Sequence, residues 1–282
     1  MVTRNSITAG VGLRHVRVAL RSSTGTPLVP AGTAAGTAYA GIQLSGATRL
    51  TVTPPDYRRV NAEGDDTVFN TFVLPPNEKP TGELVTTQLP MEAIALLSST
   101  KMYGSNPVRK LGVATDQVGY EDAVMLWAVR RAIDAESGTY LGQQVWQMYL
   151  FLNAIMQFKP PTFENAQVGE ATYAIVGNDS SVDEGGAAFT AGVNGFTKAP
   201  LIISTWKDFP WLDCFLGDGA ETEHTLTHGA TGSISTTDKK FVWVNSVLLA
   251  DDEYAIDGDG VMTLDTPAGD GKYVVVEYSY TP

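Results

Sequence analysis

Apolar and polar residues alternate most regularly between residues 146 and 158. Every second residue of this stretch is apolar: Trp146, Met148, Leu150, Leu152, Ala154, Met156 and Phe158. A helix would mix these side chains with polar ones such as Gln147 and Gln157, whereas a strand separates them onto one face. We therefore predict a strand with one fully buried face, much longer than the usual length of about 5–6 residues.

The opposite face of this predicted strand is mixed in character. Its residues are Gln143, Val145, Gln147, Tyr149, Phe151 and Asn153. Because such a face suits neither a dry core nor a solvent surface, we predict a sheet that continues into neighbouring copies of the chain. A short turn at residues 135–138 joins it to residues 122–134. We also predict a strand there, although the charges at its two ends suit a helix as well.

Shorter segments predict further strands and one helix. Alternation indicates strands at residues 13–20, 39–44, 47–52, 108–115, 171–176 and 201–205. Residues 90–103 predict a helix, because Pro90 stands near its start and Glu92 in the first turn complements the helix dipole. Residues 1–12 are small and polar and indicate a flexible or extended arm. The pattern predicts a mainly β fold with one flanking helix.

The sequence Gly217-Asp218-Gly219 is the best candidate for a domain boundary. After it, short alternating segments at residues 241–249, 253–256, 261–264 and 272–280 are separated by glycine-rich turns. We predict one domain at residues 1–219 and a small, dispensable all-β module of immunoglobulin-like type at residues 220–282.

Residues 54–82 form an unusual connection. They contain the charged residues Arg58, Arg59, Glu63, Asp65, Asp66 and Lys79 and the prolines Pro75 and Pro76. One interpretation is a solvated loop. The other is an arm that docks on an adjacent subunit, favoured by the separation of charge and the stiffness of the proline-rich end.

Charge is distributed unevenly along the 282 residues. The net charge is −12, of which residues 1–160 contribute +2 and residues 161–282 contribute −14. An acidic C-terminal part disfavours binding to DNA phosphates, since no counterions would be released. No apolar run reaches 18 residues and the N-terminus lacks the apolar core of a secretory signal, so we predict neither a membrane span nor a signal peptide. Cys214 is predicted to be a buried small hydrophobic residue.

Residues of catalytic type do not form a recognisable motif. The sequence has no GxSxG, Walker or HExxH pattern. His224 and His228 are four residues apart, but their surroundings favour strand or loop over the helix that would align them. Asp257-Gly258-Asp259-Gly260 departs from a calcium loop and is typical of a hairpin turn. We predict no enzyme activity, metal site or cofactor.

The order of segments resembles the major tail (tail tube) proteins of long-tailed bacteriophages. It runs from the strand YAGIQLSGATRLTV through RRVNAEGDDTVFNTFVLPP to the helix MEAIALLSSTKMYG. LGVATDQVG, the long strand pair and GEATYAI follow. The resemblance covers roughly residues 13–216, and each piece taken alone is weakly specific.

The resemblance implies a β-sandwich or barrel-like fold with one flanking helix. Such subunits form rings, commonly hexameric, whose inner sheets join around a lumen for DNA ejection, and the rings stack through a long loop, here residues 54–82. It also implies partners (a tape measure protein, a tail terminator and baseplate proteins), DNA that passes without specific binding, and a place in the virion tail after assembly in the host cytoplasm. The C-terminal module would decorate the tube exterior.

Two other classes of function remain open from the sequence. The chain could be another virion subunit, such as a tail terminator, baseplate or decoration protein. It could also be a carbohydrate-binding β-sandwich module, which exposed Trp and Tyr side chains on a flat strand face would favour.

Overall fold

The computed structural model describes residues 7–53, 58–64, 67–74, 79–88, 91–97, 100–103, 110–113, 123–134, 144–159, 170–229, 234–235 and 238–281. The described chain is mainly β and contains several antiparallel sheets. Its strands are β1 (Ile7–Leu20), β2 (Ile42–Gln43), β3 (Ala47–Thr53), β4 (Arg58–Gly64), β5 (Thr67–Leu74), β6 (Thr81–Thr86), β7 (Thr100–Tyr103), β8 (Lys110–Val113), β9 (Val124–Asp134), β10 (Gln144–Lys159), β11 (Ala171–Gly177), β12 (Leu201–Trp206), β13 (Phe209–Leu216), β14 (Glu223–Thr225), β15 (Phe241–Val244), β16 (Val247–Leu248), β17 (Tyr254–Ile256), β18 (Val261–Leu264) and β19 (Tyr273–Tyr280). Its helices are α1 (Met91–Leu97) and α2 (Ala191–Asn194).

The largest described sheet is built around three long strands. Its order is β2-β1-β9-β10-β11-β6-β3, and β12 pairs with β10 beside β11. The strand predictions for residues 122–134 and 146–158 are confirmed, and the helical alternative for the former is wrong. β1 contains the predicted strand at residues 13–20 but begins at Ile7, so the described part of the predicted N-terminal arm is strand.

β10 buries side chains on both of its faces, which the sequence did not predict. The register between β9 and β10 shifts between Phe151 and Ala154, so the alternation of β10 changes face there. Phe151 and Ala154 pack in a hydrophobic core within the large sheet, called the first core below. Met148, Leu150 and Leu152 pack in a hydrophobic core shared with the C-terminal strands, called the second core below. The predicted single apolar face is therefore divided between two cores.

The first core lies inside the curl of the large sheet. The sheet bends until β3, at one end, packs against β1 near the other. Residues from every long strand meet inside: Val16, Val18, Leu84, Leu126, Phe151, Met156, Tyr173 and Ile175. Ala93 and Leu97 of α1 cover the same core, so the predicted flanking helix packs where it was expected.

The predicted helix at residues 90–103 is too long. α1 ends at Leu97, and Thr100–Tyr103 is the strand β7, which pairs with β8 from Thr100↔Val113 to Tyr103↔Lys110. Pairing with β8 satisfies the backbone groups that a longer helix would have bonded internally. The partner lies inside the strand predicted at residues 108–115.

The second core joins the outside of the large sheet to the C-terminal strands. These strands form one sheet of order β13-β19-β15-β16 and another of order β14-β18-β17. Met125, Trp127 and Leu150 of the large sheet share this core with Phe215 and Val275. Cys214 is free and fully buried in the same core, as predicted.

Two turns in the C-terminal part differ in how well they were predicted. Asp257 accepts backbone hydrogen bonds from Asp259 and Val261, forming the predicted hairpin turn between β17 and β18. The single strand predicted at residues 241–249 is instead the hairpin β15–β16. It turns at Asn245 and Ser246, both of which have positive φ, as a tight right-twisted hairpin requires.

The predicted boundary at Gly219 divides a continuous sheet. β13, before it, pairs with β19, after it, over eight residue pairs from Phe209↔Tyr280 to Leu216↔Tyr273. Glycine is needed at position 217, because a Cβ there would lie 2.7 Å from the Cβ of Ala268. The division into two domains stays a prediction, and this pairing changes what a truncation at Gly219 is expected to do.

Candidate assembly surfaces

β4 and β5 form a long hairpin within residues 54–82, the segment interpreted either as a solvated loop or as a docking arm. They pair from Arg58↔Leu74 to Gly64↔Thr67, with an irregularity between Ala62 and Glu63. Among the described strands, β4 and β5 pair only with each other. The segment is therefore not a structureless loop over this range, and its backbone is organised as a two-stranded ribbon separate from the large sheet.

The predicted stacking residues fall partly on this hairpin. Arg58 and Arg59 begin β4 and Glu63 lies near its end. The structure describes only the backbone of these three residues. Lys79, after the hairpin, is exposed, and its ammonium donates to Oδ1 of Asn178. Asp65, Asp66, Pro75 and Pro76 lie outside the described residues.

The residues predicted to carry an inter-subunit sheet lie in the middle of the large sheet. β10 pairs with β9 on one side, and on the other with β12 from Trp146 to Phe151 and with β11 from Ala154 onward. Gln147 and Phe151 are buried, and Val145, Tyr149 and Asn153 are half-buried. Gln143 lies outside the described residues. Another copy could reach these side chains only through a face of the sheet, because both edges of β10 are occupied.

Gln147 belongs to a polar cluster with Arg130 and Tyr149. Nε and Nη2 of Arg130 donate to Oε1 of Gln147 at 2.9 and 2.7 Å. The guanidinium also lies 5.0 Å from the centre of the Tyr149 ring, within cation–π distance. This cluster accounts for Gln147 on the mixed face of β10, because its side chain is paired with a neighbouring strand of the same chain.

A cavity of about 370 Å³ opens where β1 and β3 approach each other without pairing. Leu13 of β1 and Arg49, Leu50 and Val52 of β3 line it together with Arg130 and Tyr149. Within the described chain, β1 has a second neighbour, β2, only at Arg17 and Val18. On the side away from β9, β1 has no described strand partner from Ile7 to His15, and β3 has none on the side away from β6.

A second cavity, of about 320 Å³, is lined by different residues, and we call it the acid–aromatic cavity. It is defined by the carboxyl groups of Asp183, Glu184 and Glu277 and by the rings of Phe241 and Trp243. Sequence analysis missed it. Glu184 lies in the loop after β11 and Glu277 in the last strand, and no local pattern connects residues so far apart.

Burial controls the ionisation of this acid cluster. It raises the pKa of Glu184 to about 7, aided by the charge of Asp183. Burial and the neighbouring Glu184 raise the pKa of Glu277 well above its ordinary value. Burial also raises the pKa of Asp183, although hydrogen bonds from the backbone and from Trp243 oppose the effect. Near neutral pH the pair Glu184–Glu277 retains protons that exposed carboxyl groups would have lost.

Comparison with known proteins leaves the family open: no protein-family model matches the chain, and no curated protein is similar enough in sequence to be a relative. Among the described residues, no three His, Cys, Asp or Glu side chains are placed to hold a metal ion. No described helix is long and apolar enough to cross a membrane. The function is therefore argued from the strands, edges and cavities themselves.

Proposed function

We propose that this chain is a structural virion subunit that polymerises into stacked rings and forms the tail tube of a long-tailed bacteriophage. The observation that carries the proposal is the sheet of overlong strands, of 14, 11 and 16 residues in β1, β9 and β10. Such strands exceed what a domain of this size needs to enclose its core. They suit a wall that is shared between copies.

Open strand edges supply the means of joining copies. In the described part of the chain, β3 and β12 each pair on one side only, and β1 does so from Ile7 to His15. Soluble proteins protect such edges, because they pair readily with another chain. Ile203 of β12 is 52% exposed and stands on one of these edges. In this proposal, ring closure uses these edges rather than the edges of β10.

The hairpin β4–β5 is the proposed contact between successive rings. It pairs with no other described strand, and its sequence places Arg58 and Arg59 at one end and Glu63, Asp65 and Asp66 at the other. A ribbon with opposite charges at its ends suits attachment to a neighbour of the same kind.

The finer parts of the proposal rest on the resemblance noted from the sequence. They are a tail-tube type of barrel, hexameric rings, an immunoglobulin-like C-terminal module on the tube exterior, and tape measure, terminator and baseplate partners in the virion. The charge of −14 over residues 161–282 is compatible with an exterior that stays soluble at high copy number. The proposed role involves no enzyme activity and no cofactor.

Sedimentation velocity on two proteins tests the proposal. One is the intact chain, and the other has residues 58–74 replaced by a short Gly-Ser turn. We expect the intact chain to form large, concentration-dependent assemblies and the shortened chain to stop at single rings or smaller species. Equal sedimentation of the two, with both folded by circular dichroism, would remove the hairpin from the account. A monomer that binds glycans saturably would favour the carbohydrate-binding alternative.

A further inference from the structure

The acid–aromatic cavity contains polar groups that folding alone does not explain. Asp183 has a structural role. Its Oδ1 accepts hydrogen bonds from the backbone N–H groups of Gly185 and Ala187 at 3.0 and 2.8 Å. Its Oδ2 accepts one from the Trp243 indole at 3.2 Å. Asp183 thus holds its own loop against β15, and its hydrogen-bonding capacity is largely used.

The carboxyl groups of Glu184 and Glu277 hydrogen-bond to each other, and one oxygen of the pair is left without a donor. They are 7% and 4% exposed. Oε2 of Glu184 is buried, and no donor of the described chain reaches it. The group beside it is the equally buried carboxyl of Glu277, which is a second acid rather than a cation. Two adjacent buried acids without a positive partner are costly to the fold. Such a cost is typical of a site that a ligand completes.

The wall of the cavity is aromatic and partly exposed to solvent. The rings of Phe241 and Trp243 stack at 6.0 Å. Phe189 and Phe196 meet edge to face at 4.9 Å on the opposite loop, and both line the cavity. Phe196 is 41% exposed. Aromatic faces beside carboxylates are the usual surroundings of a bound organic cation.

We propose that the acid–aromatic cavity binds an organic cation, an alkylammonium or alkylguanidinium ion of the size of a lysine or arginine side chain. The charged end contacts Glu184 and Glu277, and the alkyl stem lies between the aromatic rings. The ligand supplies only donors to a pair of groups that have only acceptors when ionised. The volume of about 320 Å³ accommodates such a chain.

The composition of the lining distinguishes this ligand from a metal ion and from a sugar. A metal ion needs several ligands that converge on one point. Three carboxyl groups line the cavity, but among the described residues no three acidic, His or Cys side chains are placed to hold a metal ion. A sugar hydroxyl both donates and accepts. Asn194 is the one described residue of the lining whose side chain does the same in every ionisation state, since Glu184 and Glu277 offer only acceptors once they ionise. Lys239 lies 5.6 Å from the Phe241 ring centre, but its ammonium pairs with Asp251.

Titration calorimetry with n-butylammonium and n-butylguanidinium tests the proposal. We expect saturable binding of both cations to the wild-type chain. Neutral n-butanol, which has the same stem, should bind at least about tenfold more weakly because it lacks the charge. Nα-acetyl-lysine N-methylamide imitates a lysine residue within a protein chain. If it binds as tightly as butylammonium, the ligand is a lysine side chain of a protein. If only the small cations bind, the ligand is a free amine.

Three variants give the matched controls. Glu184→Gln and Glu277→Gln remove one acid each and should weaken cation binding by about tenfold or more. Both should fold, because each relieves the repulsion of the pair, and urea unfolding checks this. Glu223→Gln removes an exposed carboxyl of β14 and should leave binding unchanged. An equal loss in all three variants would show general attraction to an acidic surface and would overturn the proposal.

The dependence of binding on pH provides a second readout. Cation binding requires ionised carboxylates, so affinity should rise between pH 6 and pH 8 and binding should release protons to the buffer. Glu184→Gln should reduce both effects. The proposal fails if no saturable heat appears with folded protein, if butanol binds as tightly as butylammonium, or if glucose or maltose binds in place of the cations.

Discussion

The hydroxyl of Tyr278 donates a hydrogen bond of 2.9 Å to Oδ2 of Asp213, and neither residue is accessible to solvent. The contact joins β19 to β13 in the interior. Asp213 also accepts hydrogen bonds from Thr227, through its backbone N–H and its hydroxyl, and from the Trp211 indole. One carboxyl group thus connects the strand before Gly219 to two other segments, β19 and the segment that follows β14.

We predict that Tyr278→Phe lowers the free energy of unfolding by about 1–3 kcal/mol, because it leaves a buried carboxyl oxygen short of a donor. Tyr254→Phe is the matched control. The Tyr254 hydroxyl donates to the carbonyl of Lys240 at 3.0 Å from a half-exposed position, and its loss should cost less than about 1 kcal/mol. Urea unfolding measures both. Equal effects would show that the Asp213 network contributes nothing beyond an ordinary surface hydrogen bond.

Truncation after Gly219 is expected to prevent normal folding. It removes β19, which pairs with β13 along its whole length and contributes Val274, Val275 and Val276 to the second core. β13 would be left as an exposed apolar edge, which favours aggregation. Size-exclusion chromatography and limited proteolysis test this. A monodisperse, protease-resistant product would restore the sequence-based expectation of a dispensable module.

Acid should destabilise the fold through His15. Burial, with the charge of Arg17, lowers the pKa of His15 to about 4 from its ordinary 6.5. Nε of Arg17 donates to Nε2 of His15 at 2.6 Å, which needs a neutral imidazole. The unfolded chain binds a proton on His15 more tightly than the folded chain does. The contribution of neutral His15 to the free energy of unfolding is therefore fully present above pH 6.5. It falls as the pH drops toward 4, by at most about 3 kcal/mol.

A difference curve isolates this contribution of His15. Glu184 and Glu277 have raised pKa values, so their contribution changes in the opposite direction and is lost as the pH rises above about 4.5. His15→Gln keeps an acceptor for Arg17 and removes the titration. The unfolding free energy of the wild type should fall more steeply than that of His15→Gln between pH 6.5 and 4. Parallel curves would show that His15 is not the group responsible.

Gly185→Ala should destabilise the loop that lines the acid–aromatic cavity. A Cβ at this position would lie 2.0 Å from Cγ of the Trp243 ring, which is itself buried. We expect a loss of about 1–3 kcal/mol from overpacking. Gly192→Ala in α2 is the control, since its Cβ would meet no atom within 4 Å, and it should be neutral or slightly stabilising. Thermal unfolding followed by tryptophan fluorescence compares them. The packing account is wrong if the two variants are equally stable.

The parts of the fold that the sequence predicted are those with a local cause. Strand period was enough for β10, since its apolar residues recur at every second position, whereas β9 was predicted from the short turn that joins it to β10. The end of α1 was predicted too late in the chain because Thr100–Tyr103 becomes a strand by pairing with Lys110–Val113. The sequence of Thr100–Tyr103 itself does not reveal that a partner strand exists. The division of β10 between two cores depends on a register shift near Phe151 that periodicity does not reveal.

The candidate sites depend even more than the fold on contacts between residues that are distant in the sequence, which local patterns do not predict. The docking arm was one of two interpretations of the charges and prolines at residues 54–82 and stays a prediction, whereas the hairpin pairing of β4 with β5 was not predicted. Glu184 and Glu277 are far apart in the sequence, and Glu277 lies in a segment that was predicted only as a strand. Only the folded chain brings them together in one cavity, and only burial gives them their unusual ionisation. Side chains that become important through long-range contact cannot be found by reading neighbours along the sequence.

Electron microscopy of the purified, concentrated protein tests the central claim most directly. The account predicts hollow tubes or stacked rings of uniform diameter, with end-on views that give the number of subunits in each ring. A folded protein that remains monomeric across a wide range of protein concentration and ionic strength, with no rings in the images, would contradict it.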